Sequence, residues 1–399
     1  LERLGTADLA PLAGPLSIPV LRPRPARANA EPELAWIRRS ATNLPAPLHL
    51  AASLLSYRHL GLSARARLLG PALALRRASL GDAALDTESF GEFLRRHGQS
   101  EQAIEGLWDL IVLPTTNLHA SEVSLALAAK VFKTGLLTSA KAADIGWSRV
   151  PLTELHVLPA ARLIASLGGE VRQRSRVTRV STSAGTGTLQ VTGVETPAGP
   201  VEADAVVLAV PHDAAAGLLP PGSHPDPGKL AGLGSSPIVN VHVVFDRKVT
   251  GYGMAAAIGS PVQFVFDRTA ASGARSGQVL AVSLSGADAE IGERPESLLA
   301  RITTALRHLF PDARQASVLD GVVTREQHAT FRGVPGTAPL RTGPATSIPN
   351  LAVAGAWTAT GWPATMEGAV RSGRSAARVA LEATGHIPAK NATREEVVA

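Results

Sequence analysis

The sequence predicts an α/β protein in which a helical layer comes before a run of strands. Apolar residues recur at helical spacing through residues 44–137, and after Pro159 the pattern changes to alternating and short apolar runs typical of strands. The chain then closes on an apolar strand, a loop and a helix. With 399 residues it is long enough for two or three domains.

The helical layer is predicted as a series of capped segments. Ser89 and Ser100 precede apolar-periodic stretches and are expected N-caps, because a serine hydroxyl satisfies a free N–H group at a helix start. Ser121 is expected to begin the next helix, which should end before Gly135. Residues 1–43 are rich in Pro, Ala and Arg and give no firm periodicity.

The second half is predicted to contain most of the strands. A short helix ends at a glycine pair (AARLIASLGG), and an alternating strand (EVRQRSRVTRVST), LQVTGVET, the turn PAGP and one continuous buried strand (VEADAVVLAVP) follow. Strands are also predicted at IVNVHVVF, SPVQFVFDR, GQVLAVSLS, SVLDGVVT and NLAVAGA, with an amphipathic helix over 295–309 and a final helix after the loop WTATGWP. The last dozen residues are expected to form a loose tail.

Composition excludes several function classes. The chain has no cysteine, which rules out disulfides, thiolate metal sites and cysteinyl attachment of a cofactor, and fits a reducing compartment. No histidine motif suggests a metal site, and a net charge of +6 without a basic, aromatic-interleaved stripe argues against nucleic acid. Neither a spanning apolar run nor a signal peptide is evident, so a cytoplasmic location is expected.

The last strand–loop–helix carries the strongest functional signal. Small residues at Ala354-Gly355-Ala356 let a ligand approach the backbone, and Thr365, Met366 and Glu367 offer N–H groups at the positive end of a helix. This pattern predicts an anion or flavin site. An ordinary β–α unit, whose small residues only pack, is the alternative.

Several separate blocks then agree, in order, with one family. VAGAWTATGWPATMEGAVRSGRSAA, LWDLIVLPTTN, ADIGWSRVPL, SPIVNVHVVFDR, GSPVQFVFDR and TREQHATFRGVPGTAPLR together resemble the hydroxysqualene dehydroxylase family (squalene-associated FAD-dependent desaturases) of the amine oxidase/phytoene desaturase superfamily. The resemblance implies a bacterial enzyme of hopanoid synthesis that binds FAD non-covalently. It implies a Rossmann-like FAD domain of the amine oxidase type, interleaved with a substrate domain of helices and antiparallel sheet. The cofactor-binding residues that it implies are Val177, Gly355, Ala356, Trp357, Thr365, Met366, Glu367 and Ala369. Val206–Pro211 resembles the strand that returns to the FAD domain. Plain sheet core is the alternative for that strand and for Val177.

The chain departs from the family at two places. The G-x-G-x-x-G fingerprint is not found, since the string at Gly251 leads into a strand and not into a helix, so the FAD domain is expected to be N-terminally incomplete. Ala356 stands where much of the superfamily has an acidic residue. The predicted division is a remnant and connection (1–43), helical substrate part (44–158), central FAD part (159–222), sheet substrate part (223–330), C-terminal FAD part (331–385) and tail (386–399).

The implied reaction is the reductive removal of an allylic hydroxyl from a C30 isoprenoid. It needs hydride from reduced flavin, a proton donor and an apolar tunnel, which the helical layer and strands 238–285 could supply. The candidate acids are Glu326 and His328, predicted to share one face of a strand, and Asp144. Asp109 is also considered. Surface, capping or hydrogen-bonding roles remain open for all four.

Three alternatives remain open. The protein could be a related FAD-dependent desaturase or oxidase of the phytoene or amine type, or a catalytically incomplete chain that binds isoprenoid. Other enzymes of squalene synthesis are potential partners. Residues 48–75, with five arginines nearby, could contact the inner face of a membrane, although a solvated arginine face on a core helix explains them too.

Overall fold

A computed structural model describes residues 1–24, 30–40, 42, 44–184 and 187–387 of the chain. The predicted tail at 388–399 lies outside the described residues. The strands are β1 (Ser17–Arg22), β2 (Glu33–Arg38), β3 (Arg179–Ala184), β4 (Leu189–Thr196), β5 (Gly199–Glu202), β6 (Val206–Leu208), β7 (Ser235–Phe245), β8 (Met254–Ala257), β9 (Phe264–Asp267), β10 (Gln278–Ser285), β11 (Val318–Phe331) and β12 (Leu351–Val353).

Most of the helices precede β3, which agrees with the predicted helical layer before a run of strands. They are α1 (Ala51–Leu55), α2 (Leu62–Arg67), α3 (Leu69–Arg77), α4 (Phe90–Arg96), α5 (Glu101–Ala103), α6 (Asp109–Thr116), α7 (Leu125–Phe132), α8 (Leu158–Ser166), α9 (His212–Leu218), α10 (Pro227–Ala231), α11 (Thr269–Ser272), α12 (Pro295–Leu309) and α13 (Met366–Ala383). Turns of π-helix lead from α5 into α6, extend α7 and precede α8.

A seven-stranded sheet is the centre of the molecule, in the order β11-β7-β10-β9-β8-β1-β2. Strands β7, β9, β10 and β11 pair antiparallel, as the family resemblance implies for the substrate domain. The hairpin of β1 and β2 joins this sheet through a parallel pairing of β1 with β8, in which Val20 lies opposite Ala256. Strands β1 and β2 are not predicted from the sequence, because Pro19 interrupts a short apolar run.

One face of the sheet is covered by α12. This helix has the bounds that the sequence predicts, and its apolar side chains Leu298, Ile302 and Leu306 are fully buried against the valines of β7 and β10. Apolar residues at three- and four-residue spacing account for this, since they form one stripe along a helix.

The opposite face is covered by the helical layer, whose centre is aromatic. Phe90, Trp108 and Phe132 have ring centroids 5.2–5.7 Å apart. Ser89 caps α4 in a capping box and Ser100 caps α5, as predicted. The prediction for α7 is wrong at both ends. Its cap is Ser124 and not Ser121, since residues 119–123 form a turn of their own, and the helix continues through Gly135 to Leu137.

A second unit contains the sheet β3-β4-β5 and the parallel pair β12-β6. The predicted strand EVRQRSRVTRVST is ordered as a strand only from Arg179. The predicted continuous strand VEADAVVLAVP is divided into β5 and β6, which belong to different sheets. At the division, the backbone carbonyl of Asp204 accepts a hydrogen bond from the Asn350 side chain and leaves the ladder.

The described residues contain no helix that is both long enough and apolar enough to cross a bilayer.

Candidate functional site

The loop between β12 and α13 is held in one shape by its own residues. Gly355 has φ +148°, and a Cβ there would lie 2.3 Å from the indole Nε1 of Trp357. The indole in turn donates to the carbonyl of Val210, just after β6, at 2.9 Å, and the N–H of Gly355 donates to Ser372 Oγ on α13 at 2.8 Å. A glycine is therefore required here, and the loop is fixed to both neighbouring elements.

The start of α13 offers two free donors. Thr365 is the N-cap, and its hydroxyl accepts from the N–H of Gly368 at 3.2 Å. The N–H of Thr365 donates to Pro363, and that of Ala369 donates to Thr365, so neither is available. Within the described residues the N–H groups of Met366 and Glu367 have no partner. Of the three donors predicted, two therefore face outward at the positive end of an 18-residue helix.

Arg341 also holds the loop between β12 and α13, a role that is not predicted from the sequence. Its guanidinium donates to the carbonyls of Thr358 (2.6 Å), Trp362 (2.8 Å), Trp357 (3.2 Å) and Ala356 (3.2 Å). None of its hydrogen bonds within the described residues goes to a carboxylate. Burial lowers the pKa of Arg341 to about 10, against a smaller opposing effect of the Asp86 carboxylate, so the side chain remains charged near neutral pH.

Two further cations lie against Trp362, and one of them, Arg371, is ion-paired with Glu367. The ammonium of Lys130 on α7 lies 4.7 Å from the ring centre of Trp362, and the guanidinium of Arg371 on α13 lies 5.0 Å from it. Burial and the nearby charge of Arg371 lower the pKa of Lys130. Trp362 therefore lies between a cation of the helical layer and a cation of α13.

The other residues assigned to the cofactor lie in the second unit. Val177 is half-buried in an extended segment before β3, and not in a strand as predicted. Strand β6 pairs with β12, so the segment Val206–Pro211 ends beside the Trp357 loop. The side chains of Met366 and Ala369 are exposed, and Glu367 is paired with Arg371 at 2.7 Å.

An apolar pocket of about 570 Å³ lies between the sheet and the helical layer. Its wall is formed by the two regions from which the sequence predicted a tunnel, together with β1 and β2, which the sequence missed. The sheet side includes Ile238, Met254, Phe264 and Phe266, and the helical side includes Leu110, Ile111, Val131 and Leu136. Asp144 is the one charged residue among the lining residues.

Asp144 is a fixed carboxylate. It accepts two hydrogen bonds from Arg39, at 3.0 and 2.8 Å, and one from the N–H of Leu16 at 2.8 Å. Burial alone would raise the pKa of Asp144, but the bonds from Arg39 and Leu16 outweigh it and hold the pKa below its usual value. Asp144 is therefore suited to remain charged, which makes it a poor proton donor near neutral pH.

A second pocket, of about 430 Å³, shares Leu110, Pro114 and Phe264 with the apolar one. Asp109 lies in its wall and accepts from the N–H of Ala120 at 2.7 Å and from His119 Nδ1 at 3.1 Å. The hydrogen bond to Asp109 raises the pKa of His119. Asp109 is a candidate from the sequence, whereas His119 is not. The signal that could have identified His119 is its position ten residues after Asp109, beyond the end of a helix.

Glu326 and His328 lie on the edge strand β11, and both are exposed. Glu326 pairs in register with Ile238, so it lies on the pocket face of the sheet. A bulge separates Glu326 from Thr330, where the chain runs opposite Pro237, which has no N–H to donate. The alternation therefore stops before His328, whose Nδ1 lies 3.0 Å from the hydroxyl of Ser235, so the prediction of one shared face is not supported by the strand. The structure brings neither residue close to Asp144.

Comparison with known proteins gives a family for the chain. The family model for flavin containing amine oxidoreductases matches residues 26–381. The hydroxysqualene dehydroxylase of Sinorhizobium fredii is 32% identical over 280 residues, covering 69% of this chain and 61% of that protein. The hydroxysqualene dehydroxylase of Rhodopseudomonas palustris is 34% identical over 284 residues, covering 69% and 63%. The chain thus spans about three fifths of the length of these two relatives.

The fold agrees with a solved structure at low identity. An oxidoreductase from Methanosarcina mazei superposes with a TM-score of 0.66 at 14% identity, over 92% of this chain and 82% of that one. This likeness confirms the α/β fold class that the sequence predicts.

Proposed function

We propose that this chain, which belongs to the family of flavin-containing amine oxidoreductases, is the main part of an FAD-dependent enzyme that converts hydroxysqualene to squalene. The observation that carries the proposal is the apolar pocket between sheet and helices, in a chain similar to two hydroxysqualene dehydroxylases. A long hydrocarbon fits such a pocket, whereas a small polar amine does not.

The cofactor proposal is non-covalent FAD, and the residues present fit it. The free N–H groups of Met366 and Glu367 and the charge of Lys130 suit the electronegative parts of a flavin nucleotide. The loop at Gly355, Ala356 and Trp357 would hold the cofactor with them, and the chain has no cysteine for a thioether link. Thr365, Ala369 and Val177 remain assigned to the same site. A bound flavin supplies the electron pair, as hydride, that the reaction requires.

The domain division follows from this assignment. Residues 159–222 and 331–385 would form the FAD domain, and residues 44–158 and 223–330 the substrate domain. The parallel pairing of β6 with β12, which come from the two FAD segments, supports this division. Strands β1 and β2 extend the substrate sheet, so the segment 1–43 contributes to the pocket wall besides connecting.

The reaction removes hydroxide from carbon and replaces it with hydride, so one proton must be delivered to release water. The apolar lining excludes bulk water from the reacting carbon, and this protects a developing allylic cation from capture. The Asp144 carboxylate, held by Arg39, places negative charge on the pocket wall, where it favours such a cation.

Glu326 is the proton donor that we place first. It lies on the pocket face of the sheet beside Ile238 and is not committed to a cation, unlike Asp144. His328, at the adjacent bulge, is the second candidate. His119 is a third, because its raised pKa keeps it protonated over a wider range of pH and its pocket adjoins the apolar one.

The test has two parts. The protein is incubated with FAD and desalted, and retained flavin absorbance is the expected result. The flavin-loaded protein is then reduced chemically without oxygen and given hydroxysqualene, and squalene is measured by gas chromatography with mass detection. Phytoene is offered in parallel under oxidising conditions. Bound flavin with desaturated phytoene and no squalene would overturn the dehydroxylase proposal, and failure to bind flavin would overturn the cofactor assignment.

The site variants separate the acids. E326Q is expected to lower turnover by about 10²-fold or more while flavin stays bound, since general acid catalysis contributes about that much. D144N tests the charge on the wall, and H328Q and H119Q test the other donors. Unchanged turnover in a variant removes that residue from the mechanism.

The proposal includes a location in the cell. A water-insoluble C30 substrate is held in membranes, so we place the enzyme in the cytoplasm against the inner face of the membrane, near other enzymes of squalene synthesis.

A further inference from the structure

Residues 34–81 form an unusually cationic stretch of the chain. This stretch contains no aspartate or glutamate, and it contains seven arginines: Arg38, Arg39, Arg58, Arg65, Arg67, Arg76 and Arg77. Within the described residues, Arg39 is the member of this set that forms an ion pair. Arg67, Arg76 and Arg77 are exposed. Uncompensated charge of one sign therefore collects on one part of the surface.

The same stretch exposes large apolar side chains. Leu55, Leu62 and Leu69 are 65%, 79% and 60% exposed. Leu62, Leu69 and Arg76 are spaced by seven residues, about two helical turns, so they lie on one side of the α2–α3 segment. The core-facing residues of this segment, Leu68, Pro71 and Leu75, lie on a different side. We call Leu62, Leu69, Arg76 and the neighbouring Arg77 the Arg/Leu face.

The Arg/Leu face is connected to the wall of the apolar pocket. The N–H of Ser40 donates to the carbonyl of His49, and the N–H of Arg38 donates to Ser53 Oγ. These bonds join the segment that begins at residue 48 to the end of β2, where Ile37 lines the pocket. The segment that leads into α2 is thus hydrogen-bonded to the strand that carries Ile37 of the pocket wall.

We propose that the Arg/Leu face docks on the surface of an anionic lipid bilayer, with the leucines among the acyl chains and the arginines at the lipid phosphates. Arginine stems and leucines suit the boundary between headgroups and hydrocarbon. A second copy of this chain is disfavoured as occupant, because two acid-free cationic faces repel each other. The inference rests on the proposed function only for the cargo, a C30 isoprenoid that passes from the bilayer to the pocket.

The test is flotation of the flavin-loaded full chain with vesicles of phosphatidylcholine alone or with a quarter phosphatidylglycerol. Binding is expected with the anionic vesicles and should weaken with salt. The double variant R76Q/R77Q should bind at least about tenfold more weakly, since each arginine near an anionic surface contributes about fivefold. L62S/L69S should lose binding to a similar degree.

The matched control is L319S/V322S on the edge strand β11, since Leu319 and Val322 are 64% and 52% exposed but outside the Arg/Leu face. It should float like the unaltered protein. Absent flotation with anionic vesicles, or equal flotation of R76Q/R77Q with an unaltered circular dichroism spectrum, overturns docking by this face. An acidic protein partner would show as binding to that partner and none to vesicles. Turnover of detergent-dispersed hydroxysqualene is measured separately, so failure of the proposed function leaves the flotation result readable.

Discussion

Replacing Arg341 with methionine removes the guanidinium that holds the loop between β12 and α13 while keeping a long apolar stem. The hydrogen bonds lost are those from Nε to the carbonyl of Trp357 and from Nη2 to the carbonyls of Thr358, Trp362 and Ala356. Nε carries one proton and Nη2 two, so three protons serve these acceptors. The perturbation therefore removes about three full hydrogen bonds.

The expected magnitude follows from those three bonds and the cost of burial. A hydrogen bond from a charged donor contributes about 1.5–3 kcal/mol to stability, so the three give about 4–9 kcal/mol. Burial opposes this. The pKa of Arg341 falls from 12.5 to about 10, and at about 1.4 kcal/mol per unit this offsets about 3 kcal/mol. We expect a net loss of about 3 kcal/mol in R341M, and a smaller loss in R341K, which keeps the charge but not the planar fork.

The assay combines urea unfolding with flavin binding. R341M should unfold at a lower urea concentration and bind FAD at least about tenfold more weakly, because an unsupported loop must be ordered when the cofactor binds. R374M is the matched control, since Arg374 is an exposed arginine on α13. If R341M matched R374M in both measurements, the loop would be held by Gly355 and Trp357 alone, and the reasoning would be refuted.

Three other changes test the pocket and its surroundings. D144N should lower the free energy of unfolding by about 2–4 kcal/mol near neutral pH, because it leaves the largely buried Arg39 without its counter-charge, and urea unfolding measures this loss. His49 is buried with both ring nitrogens unpaired among the described residues, and burial, with the charge of Arg39, lowers its pKa from 6.5. Below pH 6.5 the unfolded chain therefore binds a proton at His49 more readily than the folded chain does, so the stability of the fold falls as the pH drops. Between about pH 7 and about pH 5, H49L should lose less stability than the unaltered protein. D109N should bring the raised pKa of His119 back toward 6.5, which NMR titration measures. It should also remove a stabilisation that is present below pH 6.5 and lost as the pH rises through the raised pKa. An unchanged pKa of His119 in D109N would exclude Asp109 as the cause of the shift.

The elements that the sequence predicts well are those with a strong period of their own. Helix α12 has the predicted bounds because its apolar residues form one stripe, and β7 alternates over the predicted residues 238–245. Strands β1 and β2 were missed because they are short and depend on β8, far along the chain, for their place in the sheet. The continuous strand predicted at 201–211 is wrong because its two halves pair with different partners, which a local pattern does not show.

The candidate site divides in the same way. The Gly355 loop and the free N–H groups at the start of α13 follow from local chemistry, so the sequence predicted most of them. The function of Arg341 does not, because its acceptors are backbone carbonyls, which every residue has. The partner of Asp144 was also not predicted from the sequence. The sequence context of Asp144 resembles a turn or cap, while its actual partner, Arg39, is more than a hundred residues away.

The place of β1 in the sheet has a consequence for how the protein is made. Val20 finds its partner Ala256 only after most of the chain has been synthesised, which at ribosomal rates is on the order of ten seconds or more. During that interval the β1–β2 hairpin presents an unpaired apolar edge, the kind of surface that promotes association between nascent chains. The seven-stranded sheet is therefore not completed in the order of synthesis. We expect the helices, whose contacts are local in sequence, to fold before the sheet that they cover.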